Sequence, residues 1–78
     1  MPTDKQIAAG LRPILGQIVG RCHVSDSVED VIKYAKSRLQ KDAWESMHYQ
    51  QKQVFLTLCW EIHHVNRELY QNVMGGTH

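Results

Sequence analysis

Apolar residues recur at spacings of three and four along the last third of the chain, from Met47 to Val73. This spacing places them on one side of an α-helix, because such a helix turns about 100° per residue. A helix over residues 48–73 would be roughly 38 Å long, at about 1.5 Å per residue. That length exceeds the body of a domain built from 78 residues. The spacing therefore predicts a helical protein in which part of this helix lies against something other than its own chain.

The apolar stripe of this helix is expected to face the core of the domain. Its members are Met47, Val54, Leu58, Ile62, Val65 and Leu69, with Phe55 and Val73 at its edge.

A first helix is predicted over residues 4–21. Thr3 and Gln6 have the spacing of a capping box, which marks its beginning. Pro13 lies within it and predicts either a kink or a break, because proline lacks a backbone N–H and clashes with the preceding turn.

A second helix is predicted over residues 27–40, because hydroxyl and acidic residues that favour a helix start open this segment. A short helical turn over residues 42–46 then leads into the long helix. Residues 75–78, which begin with two glycines, are expected to form a frayed tail. No strand-like alternation is present. The predicted fold is all-α: a small bundle of three main helices plus a short helical turn, with a long C-terminal helix.

Length, net charge and cysteine content indicate which broad class of protein this is. One domain over residues 1–78 is predicted, and a domain of this size buries only about 60% of the surface of its unfolded chain. Nine Lys and Arg residues against eight Asp and Glu residues give a net charge of +1, which argues against a dedicated polyanion binder. Two cysteines at apolar helical positions indicate buried thiols and a reducing, cytoplasmic setting. No apolar stretch approaches the roughly 20 residues needed to cross a bilayer, so we expect no membrane association.

Two large apolar residues of the long helix, Leu56 and Trp60, project nearly opposite its core stripe. A tryptophan and a leucine one turn apart, with tyrosine and arginine beside them, are typical of the centre of a protein interface. Two interpretations remain open: either earlier segments of the chain cover Trp60, or a second copy or another protein covers it. The predicted partner-binding residues are Tyr49, Gln53, Leu56, Trp60, His64 and Arg67.

A mildly basic stretch in the middle of the chain favours a different function. A helix, a short turn and a longer helix could imitate a helix-turn-helix motif and contact DNA or RNA. The residues predicted to do so are Lys33, Lys36, Lys41, Gln50 and Lys52. The small positive excess and the length of the last helix count against this alternative.

One group of side chains has the residue types of a zinc site. Cys59 and His63 are one helical turn apart, and Cys22 with His23 would complete a set of four ligands. The chain lacks the C-x2-C loop that such zinc sites use, and adjacent side chains diverge on a helix. No metal or other cofactor is therefore predicted.

Catalytic patterns are also missing from the sequence. Glu61, His64 and Glu68 have the spacing of a di-iron carboxylate motif, but only one copy is present. No nucleophile beside a base and no phosphate-binding glycine loop occurs, so neither an enzyme nor a small-molecule substrate is expected. The predicted function is a small cytoplasmic interaction module that binds itself or another protein. Small proteins of this class are common among accessory, regulatory or inhibitory factors, including those encoded by phages and other mobile elements.

Overall fold

The computed structural model describes the backbone of residues 2–75 and the side chains of residues 2–73. It contains four helices: α1 (Asp4–Gly20), α2 (Val28–Ser37), α3 (Ala43–Ser46) and α4 (Tyr49–Gly75). No strand occurs among the described residues. The predicted all-α fold, with three main helices, a short helical turn and a long C-terminal helix, is confirmed. Of the predicted tail, Gly75 still belongs to α4, and residues 76–78 lie outside the described part.

The capping box predicted at the start of α1 is formed. The Gln6 backbone N–H donates to Thr3 Oγ1 at 3.2 Å, and the Thr3 backbone N–H donates to Gln6 Oε1 at 3.0 Å. α1 runs through Pro13 without interruption, so the alternative of a break at this residue is wrong. Proline removes the hydrogen bond to the carbonyl of Ala9, but both residues are exposed. Water can therefore satisfy that carbonyl, and the helix continues.

The connection between α2 and α4 places an aromatic ring against the core. The hydroxyl of Ser27 begins α2 by accepting a hydrogen bond from the Asp30 backbone N–H at 3.1 Å. α2 ends at Ser37, earlier than predicted, and the single turn α3 follows. α3 carries Trp44, whose ring meets that of Phe55 edge to face, with 5.3 Å between centroids and 61° between planes. This contact ties the connection to α4.

α1 runs parallel to α4, and successive contacts along the two helices show this. Near the start of both, Gln50 Nε2 donates to Asp4 Oδ1 at 2.8 Å. Further along, Arg12 Nη2 lies 4.0 Å from Glu61 Oε2. The loop that follows α1 then reaches Arg67. The part of α4 covered by its own chain therefore ends near this arginine.

The hydrophobic core lies where α1, α2 and α4 meet. Its buried members are Leu15, Val19, Val31, Ala35, Val54, Phe55, Leu58 and Cys59. Phe55, predicted at the edge of the stripe, is fully buried, and His63, about two turns further along α4, is also buried, with 1% of its surface exposed. The core side of α4 is therefore centred further toward Phe55 and Cys59 than the apolar pattern predicts.

The end of α4 projects beyond this core. From Glu68 to Gly75 it continues for about 12 Å, and its described side chains, through Val73, are all exposed. The predicted core positions Val65 and Leu69 are 51% and 57% exposed. The prediction that they are buried is wrong, because the described parts of α1 and α2 do not extend far enough to cover them. The molecule is consequently elongated, with extents of 49, 24 and 16 Å.

Candidate functional site

Four of the six residues predicted to bind a partner lie on the surface, and the fold uses the other two. The exposed residues are Tyr49, Gln53, Trp60 and His64. Trp60 is 51% exposed, so the described part of the chain does not bury its indole. Leu56 is half-buried and packs against the hydrophobic core. Arg67 is also half-buried and is hydrogen-bonded within the molecule.

The Trp60 indole is held in place by a neighbour on the same helix. Its ring stacks on that of His64, with centroids 5.1 Å apart and planes at 5°. His64 Nε2 lies in turn 3.3 Å from Glu68 Oε1. The stack covers one side of the indole, and this short chain of contacts restricts its rotation.

Arg67 fastens the loop between α1 and α2 onto α4. Its Nε donates to the Val24 carbonyl and its Nη2 donates to the Asp26 carbonyl, both at 3.0 Å. His63 Nε2 lies 2.7 Å from the same Asp26 carbonyl, and because a carbonyl only accepts, this nitrogen carries the proton. The helical projection places Arg67 on the outer face because it cannot show that a loop from more than 40 residues earlier in the chain crosses over this position.

The four residues with the residue types of a zinc site make other contacts in the structure. His23 Nδ1 accepts a hydrogen bond from the Ser25 backbone N–H at 3.1 Å, and His63 donates to the Asp26 carbonyl. The Cys22 thiol lies 3.9 Å from the Ile18 carbonyl. Within the described residues, no cluster of three or more His, Cys, Asp or Glu side chains could hold a metal ion.

Each carboxylate of the di-iron pattern has one basic neighbour. Glu61 lies beside Arg12 at 4.0 Å, and Glu68 lies beside His64 at 3.3 Å. Both pairs are about half exposed, so each contributes little to stability.

Both thiols are held in their protonated form by their surroundings. Burial raises the pKa of the Cys59 thiol to about 11, and Cys22 adds to this shift, whereas the Lys36 ammonium acts in the opposite direction. Burial, followed by the nearby Asp26 carboxylate, raises the pKa of Cys22. Because the thiolate is the nucleophile, neither cysteine is set up for nucleophilic chemistry.

We expect Cys59 to react with iodoacetamide much more slowly than an accessible thiol. At pH 8 a thiol with a pKa of about 11 contains roughly one hundredfold less thiolate than one at its ordinary pKa of 9.0. The measurement is mass spectrometry of the Cys22→Ala variant, in which Cys59 is the remaining thiol, during a timed reaction. The same variant unfolded in urea is the control. Equal rates in the two conditions would contradict the buried, protonated state.

A set of exposed apolar side chains covers the far end of α4. We name the set the distal face; its described members are Val65, Leu69, Tyr70 and Val73, which are 51%, 57%, 49% and 68% exposed. These residues continue the spacing of three and four that begins in the buried core at Phe55 and Leu58. The distal face is therefore the uncovered extension of the core side of α4.

The five residues predicted to contact nucleic acid occupy different settings. The amide of Gln50 donates to the Pro2 carbonyl at 3.2 Å and to the Asp4 carboxylate, so it is part of the α1–α4 contact. Lys33 and Lys41 are exposed. The remaining two, Lys36 and Lys52, meet at the ring of Trp44 although they lie on different helices.

Comparisons with known proteins give no significant match. No protein-family model matches the sequence, and no curated protein or solved structure is significantly similar to it. None of the helices in residues 2–75 combines the length and the apolar character that crossing a lipid bilayer requires.

Proposed function

We propose that this protein is a small, non-catalytic interaction module that binds a second copy of itself through the distal face of α4. The observation that supports this proposal is that the apolar core stripe of α4 continues beyond the point where α1, α2 and the loop between them cover it. Three successive positions of the stripe, Val65, Leu69 and Val73, are each at least half exposed. Contiguous apolar surface of this kind is characteristic of interaction sites.

A second copy is the occupant that this geometry favours. Two distal faces packed side by side in opposite directions cover each other, so one contact with two-fold symmetry buries both at once. The pair also restores the helix neighbours that each core stripe lacks beyond Arg67. A domain this small gains stability from such pairing, because its own core is limited.

The predicted docking residues lie outside this contact. Trp60 projects nearly opposite the apolar stripe of α4, and the distal face extends that stripe, so a helix packed on the distal face does not reach the indole. Leu56 and Arg67 are used by the fold. We therefore propose that self-association uses the distal face and leaves Trp60 exposed beside its stacking partner His64.

Substitution of Leu69 by aspartate tests the proposal. We expect the wild-type protein to dimerise in sedimentation equilibrium, with a dissociation constant on the order of 10 µM, since four side chains a copy cover less than the roughly 800 Å² of a standard interface. The Leu69→Asp variant should be a monomer with unchanged helicity, because it buries a charge in the contact but leaves the core intact. Gln71→Asp is the matched control, since it adds the same charge to an exposed position two residues away and should still dimerise.

Two results would contradict self-association through this face. One is a wild-type protein that stays monomeric at concentrations approaching about 1 mM. The other is a Leu69→Asp variant that dimerises as strongly as the Gln71→Asp control.

A further inference from the structure

Two lysine side chains from different helices converge on a single indole ring. Lys36 Nζ, on α2, lies 4.1 Å from the centroid of the Trp44 ring, and Lys52 Nζ, on α4, lies 5.4 Å from it. The Trp44 ring packs edge to face against the buried Phe55, which restricts its position. The core therefore positions the ring beside which both ammonium groups lie.

In the part of the chain that the structure describes, no ion pair neutralises the positive charge at this point. Both lysines are half-buried, and in the described part of the chain neither has a carboxylate within 4.0 Å. Because both are close to the same ring centroid, the two ammonium groups lie within about 10 Å of each other. The electron-rich ring face attracts each cation, but it carries no net charge to cancel them. Two like charges thus share one indole ring.

From this arrangement we infer that Lys36 and Lys52 bind a phosphate group in its doubly charged form, at the rim of the Trp44 ring. A phosphate monoester has a charge of about −1.5 to −2 at neutral pH and three acceptor oxygens, so one group can neutralise both ammonium groups. A carboxylate supplies a single negative charge. Lysine is a compact donor that recognises phosphate as a point charge. The half-buried setting weakens screening by salt and strengthens the attraction.

The site differs from a surface for DNA or RNA. A protein that follows a nucleic acid backbone neutralises several successive phosphates with a broad basic surface. This chain has a net charge of +1, and the two convergent lysines suffice for one phosphate. The expected ligand class is therefore a small molecule that carries a phosphate monoester.

The indole N–H signal of Trp44 in a two-dimensional ¹H–¹⁵N NMR spectrum reports on this site directly. We expect it to shift on titration with inorganic phosphate and with 5′-AMP, and much less on titration with a thymidine oligonucleotide that carries phosphodiesters alone. Sodium chloride at the same ionic strength should not reproduce the shift. The Trp60→Phe variant assigns the signal, since Trp44 is then the remaining tryptophan.

Two double variants distinguish phosphate binding at this site from a general effect of net charge. Lys36→Met with Lys52→Met removes the two ammonium groups and keeps unbranched side chains to cover the ring. Lys33→Met with Lys41→Met removes the same charge from two exposed positions. We expect the phosphate dissociation constant to rise at least about tenfold in the first pair and less than about threefold in the second. Far-UV circular dichroism checks that both pairs fold, and single Lys36→Met and Lys52→Met variants replace the first pair if it does not.

Three results would overturn the inference. The first is a Trp44 signal that does not move in phosphate at concentrations of about 10 mM. The second is an equal loss of affinity in the two double variants, which would mean that phosphate responds to overall charge. The third is tighter binding of the oligonucleotide than of 5′-AMP, which would indicate a nucleic acid surface.

Discussion

Replacing Phe55 by alanine is expected to lower the free energy of unfolding by about 3–5 kcal/mol. Phe55 is fully buried at the centre of the core, and its ring supports Trp44 from α3. Alanine leaves a cavity in the core and removes the ring against which Trp44 packs. Core packing and the Trp44 contact are therefore lost together. The total stability of a small domain is of similar size, and a large fraction of the variant should be unfolded in water.

Urea titration followed by circular dichroism measures this change. Tyr49→Ala is the control, because it also replaces an aromatic residue of α4 by alanine, but at a side chain that is 78% exposed. Its effect should be within about 0.5 kcal/mol. A loss of less than about 1 kcal/mol for Phe55→Ala would contradict the central place of Phe55 in the core.

Replacing Arg67 by methionine is expected to lower the free energy of unfolding by about 2–3 kcal/mol. The guanidinium group donates to the carbonyls of Val24 and Asp26, and methionine leaves both without this partner. These hydrogen bonds join the loop between α1 and α2 to α4. We therefore expect hydrogen exchange of the backbone amides in residues 21–27 to become faster as well.

The same substitution at Arg12 is the control for this prediction. Arg12 is exposed, and its ion pair with Glu61 is long, so Arg12→Met should change stability by less than about 1 kcal/mol. Equal losses in the two variants, or unchanged exchange in the loop, would show that Arg67 does not fasten the loop.

The sequence was informative where local rules decide the structure. The all-α fold and the capping box at Thr3 and Gln6 follow from spacing and from side chains close together in the chain. The sequence also places Trp60 opposite the apolar stripe of α4, although it leaves open whether earlier segments cover the indole, which is 51% exposed. Both kinds of inference need only the geometry of one helix.

Contacts between distant segments were beyond this kind of inference. Arg67 lies on the side expected to face outward, and only the path of the loop over α4 shows that it bonds within the molecule. His63 was missed as a core residue because a polar side chain breaks an apolar pattern, although its pairing with a loop carbonyl makes its burial possible. A possible sequence signal for both is their spacing of four, which places them side by side on one helix.

The pairing of Lys36 with Lys52 was missed for the same reason. Sequence reasoning grouped these lysines with others in one basic stretch, and nothing in the spacing indicated that these two, and not Lys33 or Lys41, would share the Trp44 ring. The position of α3 between α2 and α4 creates that contact. A single helical turn therefore determines which charges meet.

The parallel course of α1 and α4 also makes the molecule electrically polar. Each helix carries a macrodipole equivalent to about half a positive charge at its N-terminus and half a negative charge at its C-terminus. Helices that run in the same direction add these charges, and α2, which runs from the Arg67 region back toward Trp44, offsets only one of the two. The end of the molecule near Asp4 is therefore positive, and the distal end of α4 is negative. In a pair joined along the distal faces, the two negative ends lie side by side if the copies are parallel and about the length of the distal face apart if they are antiparallel, so the helix dipoles favour the antiparallel pair.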